Sequence, residues 1–341
     1  GCSSLTNIEI PESITKIQNC SFKECSSIES IKIPRSTTYL GKRSFERCTS
    51  LKEVEMPLSL TIIEDYLFLG CSKLSNINFP SSITYIGSHS FEKCSSLKEI
   101  KIPSSVAIIN SNAFCKCTML ENVEIPSSVT FIGTESFKGC SSLKKIEIPS
   151  SVNYIGSNAF NDCPSLSYIS ILSPFVKIED NIFTGIKEIE LSKSMKIIPS
   201  KTFYECNTLK RIIIPTTITD LGEETFSGCS SLEEIEIPQS LTKIGKYLFK
   251  ECSSLVQLSL PSTITDLGEG TFEGCSSLTS IELPQLLTKI DKNLFKECSS
   301  LEHINVPVST NEIEEGAFSG CSSLKEITIP STITKIKART F

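Results

Sequence analysis

The residues best suited to acid–base or nucleophilic chemistry are few and badly placed. The chain has only two histidines, His89 and His303, and they stand about nine repeat units apart, so neither can assist the other. Serine is abundant, but it recurs in a C-S-S-L context with no histidine beside it, which is no setting for an activated hydroxyl. Cys115 and Cys117 form half of a metal-binding pair with no second half. Gly268-Glu269-Gly270 lacks the strand–turn–helix setting of a dinucleotide loop. Asn19-Cys20-Ser21 has the shape of a glycosylation sequon with a cysteine in its middle. These residues predict no catalysis, no metal and no cofactor.

Sixteen cysteines would ordinarily raise a disulfide framework. Their spacing argues otherwise. Fourteen of them, from Cys2 to Cys321, recur at one position of a 23-residue repeat, and only Cys20 and Cys115 fall outside it. Equivalent positions of stacked turns give a ladder of parallel, inward side chains, which is poor geometry for S–S bonding. Buried free cysteines behave as small hydrophobes.

Counted from that cysteine, position four is Leu or Ile in all fifteen copies, position seven is Ile, Val or Leu, and position nine is apolar. This alternation predicts a short half-buried strand. Position ten is Pro in thirteen copies and ends that strand. Position thirteen is mostly aliphatic and position sixteen always is, which predicts a second extended piece on the opposite side. Position seventeen is Gly in seven copies, which suggests a corner with positive φ. Position twenty-one is Phe in every copy, from Phe22 to Phe341, and predicts a continuous aromatic spine. The serines after each cysteine are expected to cap a local turn.

One copy is irregular. Phe183 and Phe203 are 20 residues apart, and the three-residue loss follows Gly185. In the copy before it, Leu172 replaces the proline and Pro174-Phe175 follow. The chain starts inside one repeat at Cys2 and stops inside another at Phe341, so a piece of a longer protein is expected. With 33 Lys+Arg against 39 Asp+Glu, the net charge of −6 argues against a nucleic-acid partner. No apolar run is long enough to insert in a membrane.

The pattern carried by Leu143, Ile146, Ile148, Pro149, Val152, Ile155, Gly156 and Phe160, repeated throughout, resembles the BspA-like (Treponema pallidum type) leucine-rich repeats. The resemblance implies a β-rich, right-handed solenoid of about fifteen 23-residue turns over residues 1–341, with a parallel sheet along one face and little helix. It also implies a surface or secreted setting and adherence to host cells, matrix or other microbes. The alternative is a cytoplasmic or cytoskeletal assembly protein docking onto a large complex.

On such a solenoid the side chains at positions five, six and eight project from the sheet. Position eight holds seven glutamates, including Glu124, Glu147 and Glu190, against two lysines. That row could attract a basic partner, hold Ca²⁺ weakly, or be a solvated face kept soluble by its charge. Around the short copy, Tyr168, Glu188 and Arg211 at position six are expected beside Ser170, Glu190 and Ile213 at position eight. With Glu124, Lys145 and Glu147, they are the expected contacts to a protein partner.

Overall fold

The computed structural model describes residues 1–174, 177–178 and 186–341. Phe175, Phe183 and the three-residue loss after Gly185 lie outside the described residues. The chain divides into two compact units, Gly1–Phe183 and Thr184–Phe341. Each is a parallel-strand β-solenoid, with no helix among the described residues.

Two kinds of strand alternate. Front strands of two to four residues use positions six to nine, as in Glu99–Lys101 and Lys145–Ile148. Back strands are two-residue pieces at positions fifteen and sixteen, as in Tyr85–Ile86 and Phe131–Ile132. Neighbouring strands pair in parallel one 23-residue unit apart, with Ile146 opposite Ile169 and Ile132 opposite Ile155. Their brevity follows from the sequence: proline closes most front strands, with Leu172 and Ser192 in its place after Ile171 and Leu191, and a corner follows each back strand after two residues.

A third ladder links the turns along the edge between back strand and cysteine. Cys20, Phe22 and Glu24 donate their N–H groups to the carbonyls of Lys42, Ser44 and Glu46 in the next turn, at 3.0, 2.8 and 2.7 Å. The backbone faces its neighbour at alternate residues because φ changes sign along the segment: Cys20 has φ 60° and Glu24 has φ 59°. The same two positions, nineteen and twenty-three, carry positive φ in turn after turn, mostly on residues other than glycine, such as Arg43, Arg47, His89 and Lys93. Each costs an L-residue on the order of 1 kcal/mol, which the inter-turn hydrogen bonds offset.

Position seventeen therefore has a different role from the one expected. Its glycines are not among the positive-φ residues. Instead, a Cβ at Gly87 would sit 2.7 Å from Asp65 N and from Ile63 O, and the other corner glycines except Gly245 crowd the preceding corner similarly. Glycine is used there because the stacked backbones nearly touch. The serines differ too. Ser95 and Ser253 bond the carbonyls of Ser72 and Ser230, 23 residues earlier, both at 3.3 Å, whereas Ser141 makes a local bond, to Gly139. After the proline, Ser128 and Ser151 likewise bond Val106 and Val129 O, both at 2.6 Å. Hydroxyls here tie turn to turn.

The core is the expected one. Phe22 through Phe160 stack with centroids 5.3–5.5 Å apart in the first unit, and Phe203 through Phe341 at 5.4–5.9 Å in the second. Alongside runs the cysteine ladder. Cys71 Sγ donates to Phe45 O at 3.1 Å and Cys140 Sγ to Phe114 O at 3.3 Å, each thiol reaching back 26 residues. Burial pushes the Cys48 and Cys163 thiols up to about 12 and Cys115 to about 11. Thiolate is the reactive form, so the native protein at pH 8 should react fast with a thiol reagent only at Cys2 and Cys20, the two exposed cysteines. The remainder should react after urea is added. Rapid native labelling of Cys117 or Cys140 would mean that the ladder is open.

Candidate functional site

The inward residues of the front strands are committed to packing, so chemistry on this face is confined to the rows between them. In the first unit, Asn122–Glu124, Lys145–Ile148 and Tyr168–Ile171 lie side by side. Lys145 is opposite Tyr168, and Glu147 is opposite Ser170. Glu124, Lys145 and Glu147 are exposed, and Tyr168 is half-buried. These four, with Asn122, line a shallow concavity of about 480 Å³ floored by Val123, Ile125 and Ile146. The expected residues of this unit thus come together, with one exception. Ser170 is 4% exposed. Its short side chain sits below the level of longer neighbours such as Glu147, and it is not available to a partner.

In the second unit, Glu188–Leu191, Arg211–Ile213 and Glu234–Glu236 pair in register. Arg211 stands between Glu188 and Glu234, with Nε 3.6 Å from the Glu234 carboxylate. Ile213 stands between Glu190 and Glu236 and is 65% exposed. An isoleucine this open on a strand otherwise flanked by carboxylates is unexplained by packing. Tyr168 belongs to the first unit, and Glu188, Glu190, Arg211 and Ile213 to the second.

Electrostatics divide the rows. Position five pairs its own charges: Lys52–Glu29 at 2.9 Å, Lys144–Glu121 at 3.1 Å, Lys210–Glu233 at 2.9 Å and Lys325–Glu302 at 2.8 Å. The Lys52 ammonium bonded to Glu29, and Lys325 bonded to Glu302, hold those carboxyls below the usual range. Position eight carries one such pair among the described residues, Lys32–Glu55 at 3.3 Å. The acidic surplus therefore lies on the position-six and position-eight rows, where five glutamates face Lys145 and Arg211 and seven face Lys32 and Lys101. Exposed pairs of this kind contribute little stability, so the pattern bears on recognition more than on folding.

The chemistry-bearing residues are held in structural arrangements. His89 lies on the turn edge, where Nδ1 is 2.6 Å from Glu92 and the ring stacks on Tyr66 at 4.6 Å. His303 lies on the front face, 3.9 Å from Glu302. Cys117 belongs to the inner ladder, bonded to Phe91 O at 3.1 Å. Among the described residues, no three His, Cys, Asp or Glu side chains converge to hold a metal ion. No described helix is long and apolar enough to cross a membrane. Reading along the chain missed the outward residues of the back strands, Tyr39, Ile62, Tyr85, Ile108, Phe131 and Tyr154, whose apolar run emerges only when equivalent residues of successive turns are set side by side.

Comparison with known proteins bears on the whole chain. A family model for the BspA type leucine rich repeat region matches residues 1–121, 107–233 and 221–341. Among solved structures, a leucine-rich repeat protein from Bacteroides ovatus is 31% identical, with 92% of this chain and 82% of that one covered and a TM-score of 0.77. A leucine rich cell surface protein from Faecalibacterium prausnitzii is 28% identical over 92% and 82%, with a TM-score of 0.49. The pneumococcal vaccine antigen PcpA is 19% identical over 94% and 92%, with a TM-score of 0.52. No curated protein matches. The 23-residue period, the phenylalanine and cysteine ladders, the parallel front strands and the matched repeat regions agree: this chain belongs to the BspA-type leucine-rich-repeat family.

Proposed function

We propose that the chain is a non-catalytic binding scaffold that grips a protein partner with its front face, as a cell-surface or secreted adhesin for host or matrix proteins. The observation that carries the reading is Ile213, 65% exposed beside Arg211 and framed by Glu188, Glu190, Glu234 and Glu236. Carboxylates outnumber the single guanidinium, which is 3.6 Å from Glu234, so the surround of the apolar centre is acidic. That composition suits a partner presenting an apolar side chain within a basic rim, and Arg with an open apolar residue is typical of an interface anchor. The concavity lined by Glu124, Lys145, Glu147 and Tyr168 offers a second contact of the same character. Membership of the family supports the scaffold role, and the surface setting follows from what the resemblance implies.

The test is binding of the chain to immobilised matrix proteins and to intact host cells. Arg211→Ala with Ile213→Ala should weaken binding by roughly thirtyfold, the size expected of two anchor residues. Binding should also fall steeply with added salt. Undiminished binding by the double variant would sink the assignment. A second reading, an intracellular assembly protein, draws on the exposed thiols of Cys2 and Cys20, which persist most readily in a reducing compartment. Labelling of intact cells with a membrane-impermeant reagent, with assay of the medium, separates the two: a chain labelled on cells or found in the medium rules out the second reading, and one found in neither rules out the first.

A further inference from the structure

The second unit carries bands of charge around the corner that follows each back strand. Read in full, position fifteen runs Ile197, Asp220, Lys243, Asp266, Lys289, Glu312, Lys335. Position eighteen, just past the corner, runs Ser200, Glu223, Lys246, Glu269, Lys292, Glu315, Ala338. From Asp220 onward the sign reverses at every turn, and the two positions of a turn agree in sign wherever both are charged. Paired strands hold the bands in register, with Lys243 opposite Asp266 and Lys289 opposite Glu312. The two positions share one surface. In the first unit Tyr39 Oη, at position fifteen, is 3.4 Å from Asn19 Oδ1, at position eighteen, and in the second Lys337, at the corner itself, bonds Glu312 at 2.7 Å.

The fold does not require this pattern. From Tyr39 to Tyr154 the first unit has only Tyr, Ile or Phe at position fifteen, and its turns stack as well. Nor is the charge consumed within the chain. Lys289 lies 3.3 Å from Glu314 and Lys246 3.9 Å from Glu269. Asp220, Lys243, Asp266, Lys292, Glu315 and Lys335, however, have no ion-pair partner among the described residues. The sign also outlasts the residues that carry it. Thr265-Asp266-Leu267-Gly268-Glu269 becomes Asn311-Glu312-Ile313-Glu314-Glu315 two turns later, and both acidic positions stay acidic.

We propose that this face joins two copies of the chain antiparallel, each band against one of opposite sign. A partner of a single sign gains little here, because the attraction of one turn is cancelled by the next, about 4.8 Å away. A complementary partner must alternate with the same pitch, and the second unit itself does so. A two-fold axis between the Asp266 and Lys289 turns sets Asp266 against Lys289 of the second copy, Lys243 against Glu312 and Asp220 against Lys335. Along position eighteen it sets Glu269 against Lys292 and Lys246 against Glu315, with Glu223 facing Ala338. The corner residues match in bulk as well: Asp291, Glu314 and Lys337 meet Gly268, Gly245 and Gly222. An axis through a turn would set like charge against like, so charge selects the register. The contact is small, roughly 24 Å long, and exposed ion pairs contribute little each. The dimer should therefore be weak and salt-sensitive, dissociating on the order of 100 µM at low salt.

Sedimentation equilibrium of the 341-residue chain up to about 500 µM, in about 20 and about 300 mM NaCl, tests this. A reversible monomer–dimer equilibrium is expected at low salt, weakened at least tenfold at high salt. Lys246→Glu and Glu315→Lys should each weaken the low-salt dimer at least fivefold, because each creates like-charged contacts on both sides of the axis. An equimolar mixture of the two variants should regain association, which a misfolded variant could not. Lys98→Glu, the same change of charge on the front face of the first unit, should leave the equilibrium unchanged. A chain monomeric at 500 µM in low salt overturns the proposal, as does a dimer that persists in high salt or is indifferent to both variants. Failure of the mixture to associate overturns it too, since antiparallel pairing requires the two variants to complement each other.

Discussion

Phe114→Ala should lower the stability of the chain by about 4 kcal/mol, read as a shift in the urea midpoint. Phe114 is fully buried, and its ring stacks 5.4 Å from Phe91 and 5.3 Å from Phe137, with planes 8° and 14° apart. Removing it leaves a gap with an aromatic face on both sides. The surrounding backbone cannot close that gap, because Phe114 N–H is bonded to Ser136 O at 2.7 Å and its carbonyl accepts the Cys140 thiol at 3.3 Å. A repeat stack adds a further vulnerability. Each turn rests only on its neighbours, so damage to one turn cannot be spread over a shared core. Phe341→Ala is the internal control: that ring is 55% exposed and stacks only on Phe318, at 5.8 Å. Its loss should cost under about 1 kcal/mol, in proportion to the smaller area buried. Equal costs at the two positions would mean that the spine is not the principal stabilising feature.

The inward half of the structure was legible in the sequence because it is dictated by burial. Leu143, Ile146, Phe160 and Cys140 recur at fixed spacing, and all are fully or nearly fully buried. What the sequence concealed were the relations between one turn and the next. The glycine at position seventeen reads locally as a conformational choice, yet its reason lies in the corner of the preceding turn, 23 residues away. The serines after the cysteines read as local caps, yet Ser95 and Ser253 bond carbonyls of the preceding turn. Ser170 reads as a projecting residue because its position projects elsewhere, but a hydroxymethyl group is too short to reach past its neighbours. The aromatic row of the back strands is invisible along the chain, since Tyr85 and Phe131 are separated by two whole repeats and each looks like an isolated surface residue. On the front face, position number located Arg211 and Ile213 correctly, but not the carboxylate frame that Glu234 and Glu236 complete.

Gly87→Ala should cost about 2–3 kcal/mol, the price of overpacking where the neighbour is backbone. A change of φ preference is not involved, since Gly87 is not among the residues with positive φ. The added methyl would lie 2.7 Å from Asp65 N and Ile63 O and 2.8 Å from Glu64 C, distances that ordinary contacts do not reach. Relief requires the two corners to separate, which strains the 2.8 Å bond from Gly87 N–H to Ile63 O and the pairing of Tyr85–Ile86 with Ile62–Ile63. Other turns show that a wider corner can be built, because Glu64, Asn110 and Asp291 occupy the same position. The cost is therefore that of shifting one corner, rather than of losing the fold. Gly139→Ala gives the opposite case. Gly139 has φ 73°, and a Cβ there would meet Lys116 Cγ, a flexible side-chain atom, at 3.2 Å. Equivalent positions already carry Arg47, Lys93 and Lys116 with positive φ, so this substitution should cost only about 1 kcal/mol. Asymmetry in amide exchange should accompany the difference, with Gly87→Ala raising exchange at Tyr85 and Ile86 while Gly139→Ala leaves those amides protected. A neutral Gly87→Ala would show that the stacked corners yield enough to admit a methyl group, and the close approach of turns would then not be what selects glycine.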